Sequence, residues 1–128
     1  MKIYGVIHLK GLPGSTSNIL SIPEITTLAQ NDINGLTEGG VDGIIIENFG
    51  DAPFVKDNLS KRSLVSFTTV ASNLEVNRNF DMCINVLRND GISALAIAEA
   101  VDANFVRINI LNNIMYTDQG IIEGKSYD

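Results

Sequence analysis

The sequence predicts an α/β fold in which parallel strands alternate with helices, arranged as a (β/α) half-barrel that resembles the first four strands of a TIM barrel. Four short apolar runs are separated by helical patterns. One face of the predicted strands is apolar throughout, whereas the other becomes polar toward the carboxyl ends. An open doubly wound sheet would be apolar on both faces, so the pattern favours a barrel.

The four predicted strands alternate with three predicted helices. The strands cover residues 2–8, 43–47, 82–86 and 104–110. The second strand is the clearest, because Ile44, Ile45 and Ile46 are β-branched and a turn containing Gly50 and Pro53 follows them.

The helices are predicted from apolar residues at helical spacing and from capping residues. Ser21 and Glu24 form a capping-box pattern at the start of the first helix, and the glycines at 39–40 end it. The second helix is predicted over about 61–76. The third follows Asp90 as its N-cap and ends near residue 102.

Length and composition limit the classes of function. The 128 residues fit one domain, residues 1–128. The net charge of −6 argues against a nucleic-acid partner.

No apolar run approaches the ~20 residues of a transmembrane segment, so we expect a cytoplasmic protein. Cys83 and His8 are the only soft metal ligands, so no zinc site is expected, and Cys83 is interpreted as a small buried filler. A hard-cation site at Glu47 and Asp51, with a carbonyl oxygen from Asn48, is an alternative to proton transfer.

A complete (β/α) barrel has eight strands and typically ~250 residues. Four strands are predicted here, so half of such a sheet would have two free edges and an uncovered inner face. We therefore expect either a truncated chain or a half-barrel that is completed by a partner or in a homo-oligomer.

Several motifs in order along the chain resemble the BtpA/SgcQ family. They are GVIHL at 5–9, LPG at 12–14, GGVDG at 39–43, ENFGDAPF at 47–54, NVLRND at 85–90, ALAIA at 94–98, FVRIN at 105–109 and TDQGIIEG at 117–124. The resemblance implies a TIM barrel about twice as long as this chain. It also implies a link to photosystem I biogenesis at thylakoid membranes, although family members occur in organisms without photosynthesis.

The catalytic candidates lie at the polar ends of the predicted strands. They are His8, Glu47 and Arg107. His8 and Glu47 are suited to proton transfer. The alternative is a hydrogen-bonded structural imidazole at His8 and an inert pair between Glu47 and Arg107 inside the barrel, because an isolated buried arginine is costly.

The substrate-binding candidates are polar groups on the same strand ends and the loops that follow them. They are Asn48, Asp51, Asn85, Arg88, Asn109 and Asp118. Arg88 could bind a phosphate or carboxylate. The alternatives are a turn cap for Asp51, a solvated side chain for Arg88 and a solvated polar loop over residues 117–124.

Three hypotheses about function remain open from the sequence. By resemblance, the chain is a biogenesis factor that acts through protein contacts. Alternatively, it is a TIM-barrel enzyme or binding protein for a small metabolite, phosphorylated or nucleoside-like, that binds at the polar strand ends. The third hypothesis is an inactive fragment. The sequence identifies no cofactor.

Overall fold

A computed structural model describes residues 1–128 and contains one four-stranded parallel sheet in the order β1-β2-β3-β4. The strands are β1 (Tyr4–His8), β2 (Gly43–Glu47), β3 (Asp81–Asn85) and β4 (Phe105–Arg107). The prediction of a half-barrel with strands and helices in alternation is confirmed. The strand order follows the chain order, as in the wall of a barrel.

Three helices connect the strands, and the first and third begin at the predicted capping residues. They are α1 (Ile22–Glu38), α2 (Lys61–Ser72) and α3 (Gly91–Ala100). The Glu24 N–H donates to Ser21 Oγ, and the Ser21 N–H donates to Glu24 Oε2. Asp90 Oδ1 accepts from the Ser93 N–H at 3.0 Å. These contacts satisfy N–H groups that have no partner inside the helix.

α2 ends earlier than predicted because its last turn closes locally, whereas α3 ends at Ala100, close to the predicted end near residue 102. The Asn73 N–H donates to the Val70 carbonyl at 3.1 Å, three residues back, and α2 ends at Ser72 instead of continuing to residue 76. Asp102 has φ of 56°, in the left-handed region, so α3 cannot extend through it.

The predicted strands also differ from the observed ones at their ends. β1 begins at Tyr4 rather than at residue 2, and Ile3, expected under the helices, is half-exposed. β4 stops at Arg107 rather than at residue 110. Beyond it, the chain is held by side chains of the loop after β3, where Asn89 Oδ1 accepts from the Ile110 N–H at 2.8 Å.

The prediction of a polar loop over residues 117–124 is wrong. This segment belongs to an antiparallel hairpin of β5 (Ile114–Thr117) and β6 (Gly120–Glu123). The apolar and β-branched residues on both sides of a two-residue turn favour strands, and Gly120 adopts the φ of 88° that the turn requires.

The core lies between the helices and one face of the sheet. Ile7, Ile44, Ile46 and Ile84 point toward the helices and are fully buried, with Phe67 of α2 packed in the same cluster. This is the face that the alternation predicts to be apolar. The opposite, inner face is more open, since Val6 and Phe105 remain about 40% exposed.

The loop after β1 packs directly on a 3-10 turn, Phe49–Asp51, that follows β2. The Gly50 N–H donates to the Leu9 carbonyl at 2.8 Å, and Ser17 Oγ donates to the Gly50 carbonyl at 2.6 Å. A Cβ on Gly50 would lie only 2.5 Å from both Leu9 O and Gly11 N. These are backbone atoms, so only glycine allows this contact between the two loops.

Replacing Gly50 by alanine tests this close approach. Because the added methyl group meets backbone rather than a flexible side chain, Gly50→Ala should lower the free energy of unfolding by roughly 1–3 kcal/mol. The measurement is urea unfolding followed by circular dichroism.

Gly35→Ala is the matched control. Gly35 is exposed within α1, and a Cβ there would meet no atom within 4 Å. Alanine should therefore stabilise the helix by about 0.5–1 kcal/mol. Equal effects of the two substitutions would contradict the contact between the loops.

Candidate functional site

Four polar side chains form one row across the inner face at the carboxyl ends of the strands. The parallel register pairs His8 with Glu47, Glu47 with Asn85, and Asn85 with Arg107. We call these four residues the polar row. Because alternate residues of a strand share a face, the register alone places all four on the inner side of the sheet.

Glu47 is the centre of the polar row. Its side chain is 8% exposed, whereas His8 and Arg107 are each about half-exposed. His8 Nε2 lies 2.9 Å from Glu47 Oε1, and Arg107 Nη1 lies 3.9 Å from Glu47 Oε2. The carboxylate therefore has an imidazole nitrogen close to it on β1 and a nearby cation on β4, which offset the cost of its burial.

Asn85 is nearly completely buried, and its amide orientation is fixed by its neighbours. Its Nδ2 donates to the Arg107 carbonyl at 2.8 Å and to Asn109 Oδ1 at 3.2 Å. Asn109 Nδ2 in turn donates to the Arg88 carbonyl at 3.0 Å. Asn85 Oδ1 is buried and has no hydrogen-bond partner. A buried acceptor left unpaired is costly, so it is an unusual feature of this site.

An aromatic group that the sequence analysis missed lies beside the polar row. The rings of His8 and Phe49 are stacked, with centroids 4.3 Å apart and 16° between their planes. Phe54 lies 6.1 Å from Phe49, and the guanidinium of Arg88 lies 5.8 Å from the centre of the Phe54 ring. The sequence indication of this aromatic group was the presence of Phe49 and Phe54 in the loop that follows Glu47.

Asn48 and Asp51 serve the loop backbone in this structure. Asn48 Oδ1 accepts from the Leu87 N–H at 2.8 Å, and Asn48 Nδ2 donates to Asp51 Oδ2 at 3.0 Å. Asp51 Oδ1 accepts from the Leu12 N–H at 2.7 Å. Burial raises the pKa of the Asp51 carboxyl group, and these hydrogen bonds oppose the rise. A substrate-binding role for either residue stays a prediction.

Arg88 and Asp118 connect the hairpin to the loop after β3. Arg88 Nη2 lies 4.0 Å from Asp118 Oδ1, and Asp118 is largely exposed. An exposed pair at this distance contributes little to stability. Both side chains therefore remain available at the rim of the site, and their binding roles also stay predictions.

Cys83 lies on the inner face, one layer below the polar row, and is fully buried. Burial raises the pKa of its thiol to about 11. A protonated thiol is a poor nucleophile, which agrees with its interpretation as a small filler. The structure contains no group of three or more His, Cys, Asp or Glu side chains that could hold a metal ion.

Comparison with known sequences adds a family assignment to this geometry. The profile of the BtpA family matches residues 1–128. The chain belongs to the BtpA family. No solved structure matches it.

Curated relatives of this BtpA-family chain come from archaea, a cyanobacterium and a nematode. An uncharacterized protein of Methanocaldococcus jannaschii is 42% identical over 98% of the chain and 48% of its own length. Photosystem I biogenesis protein BtpA of Synechocystis is 42% identical over 98% of the chain and 44% of its own length. An uncharacterized mitochondrial protein of Caenorhabditis elegans is 29% identical over 95% of the chain and 46% of its own length. The chain therefore spans about half the length of the curated relatives it matches.

None of the helices combines the length and the apolar character that crossing a bilayer requires.

Replacing Asp51 by asparagine tests its role in the loops. The Leu12 N–H and Asn48 Nδ2 both donate to Asp51, and Asn48 cannot reverse its amide because its Oδ1 holds the Leu87 N–H. Asp51→Asn would place an amide donor against one of these donors. We expect a loss of roughly 1–3 kcal/mol in the free energy of unfolding, measured by urea unfolding.

Asp32→Asn is the control, because Asp32 is an exposed carboxylate of α1. It should change stability by less than about 0.5 kcal/mol. If Asp51→Asn were as stable as this control, the acceptor role of Asp51 would be wrong.

Proposed function

We propose that this chain supplies half of a small-molecule site, in which Glu47 accepts a hydrogen bond or a proton from the ligand. The observation that carries the proposal is the buried Glu47 carboxylate, 2.9 Å from His8 Nε2 at the carboxyl end of the sheet. Carboxyl ends of parallel strands are where barrels of this type place their chemistry. In relatives about twice as long as this chain, residues outside the matched region would supply the rest of such a site.

His8 and Arg107 have different parts in the proposed site. His8 contacts Glu47 directly and is half-exposed, so it can exchange a proton with solvent or ligand while it orients the carboxylate. Arg107 Nη1 lies beyond hydrogen-bond distance from Glu47. Its donors are therefore free for an anionic or carbonyl group of the ligand.

The proposal predicts that Glu47→Gln loses ligand response while keeping the fold. The substitution preserves shape but removes the charge and half of the acceptor capacity. A charge-assisted hydrogen bond contributes roughly 1.5–3 kcal/mol, so binding should weaken about tenfold to a hundredfold. The measurement is the ligand-induced rise in melting temperature across a metabolite library.

The control is Glu38→Gln, which removes an exposed carboxylate at the end of α1. It should respond to the library as the parent does. A Glu47→Gln protein that responds identically to the parent would remove Glu47 from the site.

A second candidate function is assembly of a membrane complex through protein contacts. It is favoured by the name of the Synechocystis relative and by the exposed apolar side chains of the β5–β6 hairpin, among which Tyr116 is 82% exposed. Such side chains are common at protein interfaces.

This candidate predicts stable co-purification with a subunit of a membrane complex. Because the contact would use the hairpin, it should survive Glu47→Gln and be lost in Tyr116→Ser, as measured by affinity purification and mass spectrometry. A chain that always purifies alone would count against assembly, and a complex sensitive only to Glu47→Gln would favour the small-molecule site.

A further inference from the structure

We propose that the ligand of the polar row is a planar heteroaromatic ring of the nucleobase type that carries an amino group, and that Asn85 Oδ1 accepts a hydrogen bond from that group. This inference rests on the proposed small-molecule site and names its substrate class. Two independent features carry it, namely an unpartnered buried acceptor and an adjacent stack of exposed rings.

The first feature is the fixed orientation of the Asn85 amide. Both partners of Asn85 Nδ2 are oxygen acceptors, the Arg107 carbonyl and Asn109 Oδ1. Asn109 cannot reverse its own amide, because its Nδ2 donates to the Arg88 carbonyl. Oδ1 of Asn85 is therefore turned away from β4, and a hydrogen-bond donor is the partner that it lacks.

The second feature is the stack of His8 and Phe49. Both side chains are about half-exposed, so part of the two-ring stack is open to a further flat group. Aromatic rings of nucleobases stack on such surfaces with a gain of about 1–3 kcal/mol per base. A sugar phosphate has no aromatic ring and would leave this surface unused.

The two features are at a distance that selects for the size of the ligand. His8 and Asn85 are two strands apart in the same register, and neighbouring strands are about 4.8 Å apart, which gives about 10 Å between them. A single six-membered ring is too short to touch both positions. Because the stacked ring and the amino group belong to the same base, the base itself must span this distance, and a bicyclic base with its exocyclic amino group reaches further than a single ring.

Asn85 Oδ1 is covered from solvent, so a neighbouring group must move before a ligand can reach the atom.

Paired nucleosides test the amino-group contact. Adenosine is compared with purine riboside and guanosine with inosine, because each pair differs only by an amino group. Binding is measured by equilibrium dialysis and saturation-transfer NMR on the parent protein. We expect at least one aminated nucleoside to bind, and its partner without the amino group to bind about tenfold more weakly, since the buried acceptor then stays unpaired.

Phe49→Leu tests the stack, and Tyr127→Leu is its control, because Tyr127 is an exposed ring close to the C-terminus. Phe49→Leu should weaken binding of the aminated nucleoside about tenfold, and Tyr127→Leu should leave it unchanged. Phe49 is half-exposed, so the variant should retain the fold, which circular dichroism checks.

The inference is overturned if no nucleoside binds, if both members of each pair bind equally, or if ribose 5-phosphate binds as tightly as the nucleosides. A metabolite without an aromatic ring whose binding depends on Glu47 would overturn the inference and leave the proposed function standing. Amino-group discrimination that persists unchanged in Glu47→Gln would support the inference and remove the proposed role of Glu47.

Discussion

The continuous parallel register of the four strands is the constraint on which the site depends. It places His8, Glu47, Asn85 and Arg107 at the same level of the sheet. Side chains of one level on neighbouring strands are about 5 Å apart, so His8 and Glu47 are direct neighbours. The long Arg107 side chain comes within 3.9 Å of Glu47 from two strands away, without any contribution from the loops. A shift of one residue in any strand would move its polar side chain to the face under the helices, where a charge is costly.

The loops after β1 and β2 hold an aromatic side chain beside the polar row. The contact of Gly50 with the backbone of the first loop and the hydrogen bonds of Asp51 hold the 3-10 turn in place. That turn carries Phe49, which stacks on His8. The polar groups that stabilise the loops and those that face the inner side of the sheet are therefore different residues, although Glu47, Asn48 and Asp51 are almost adjacent in the chain. This division separates Asp51, which supports a loop, from Glu47, which lies in the polar row.

The two faces of the sheet differ in how well they are covered. Its apolar face is covered by helices, whereas its inner face leaves Val6 and Phe105 partly exposed beside buried polar groups. Relatives are about twice as long as this chain, and their additional residues would supply the rest of any complete barrel. An amide that is held through Nδ2 while Oδ1 stays unpaired is consistent with a site whose remaining partner comes from a ligand.

The sequence by itself determined the α/β class, the alternation of elements, the apolar face and the convergence of Glu47 with Arg107, because these follow from local periodicity and from the rule that alternate residues share a face. It did not determine where β4 ends, because that end is set by Asn89 and Asn109, whose partners are 21 residues away in the chain. It missed the hairpin and the stack of Phe49 on His8. Only the tertiary structure decided that Asp51 supports a loop and that Asn85 retains a free acceptor, because hydrogen-bond partners distant in sequence leave no local pattern.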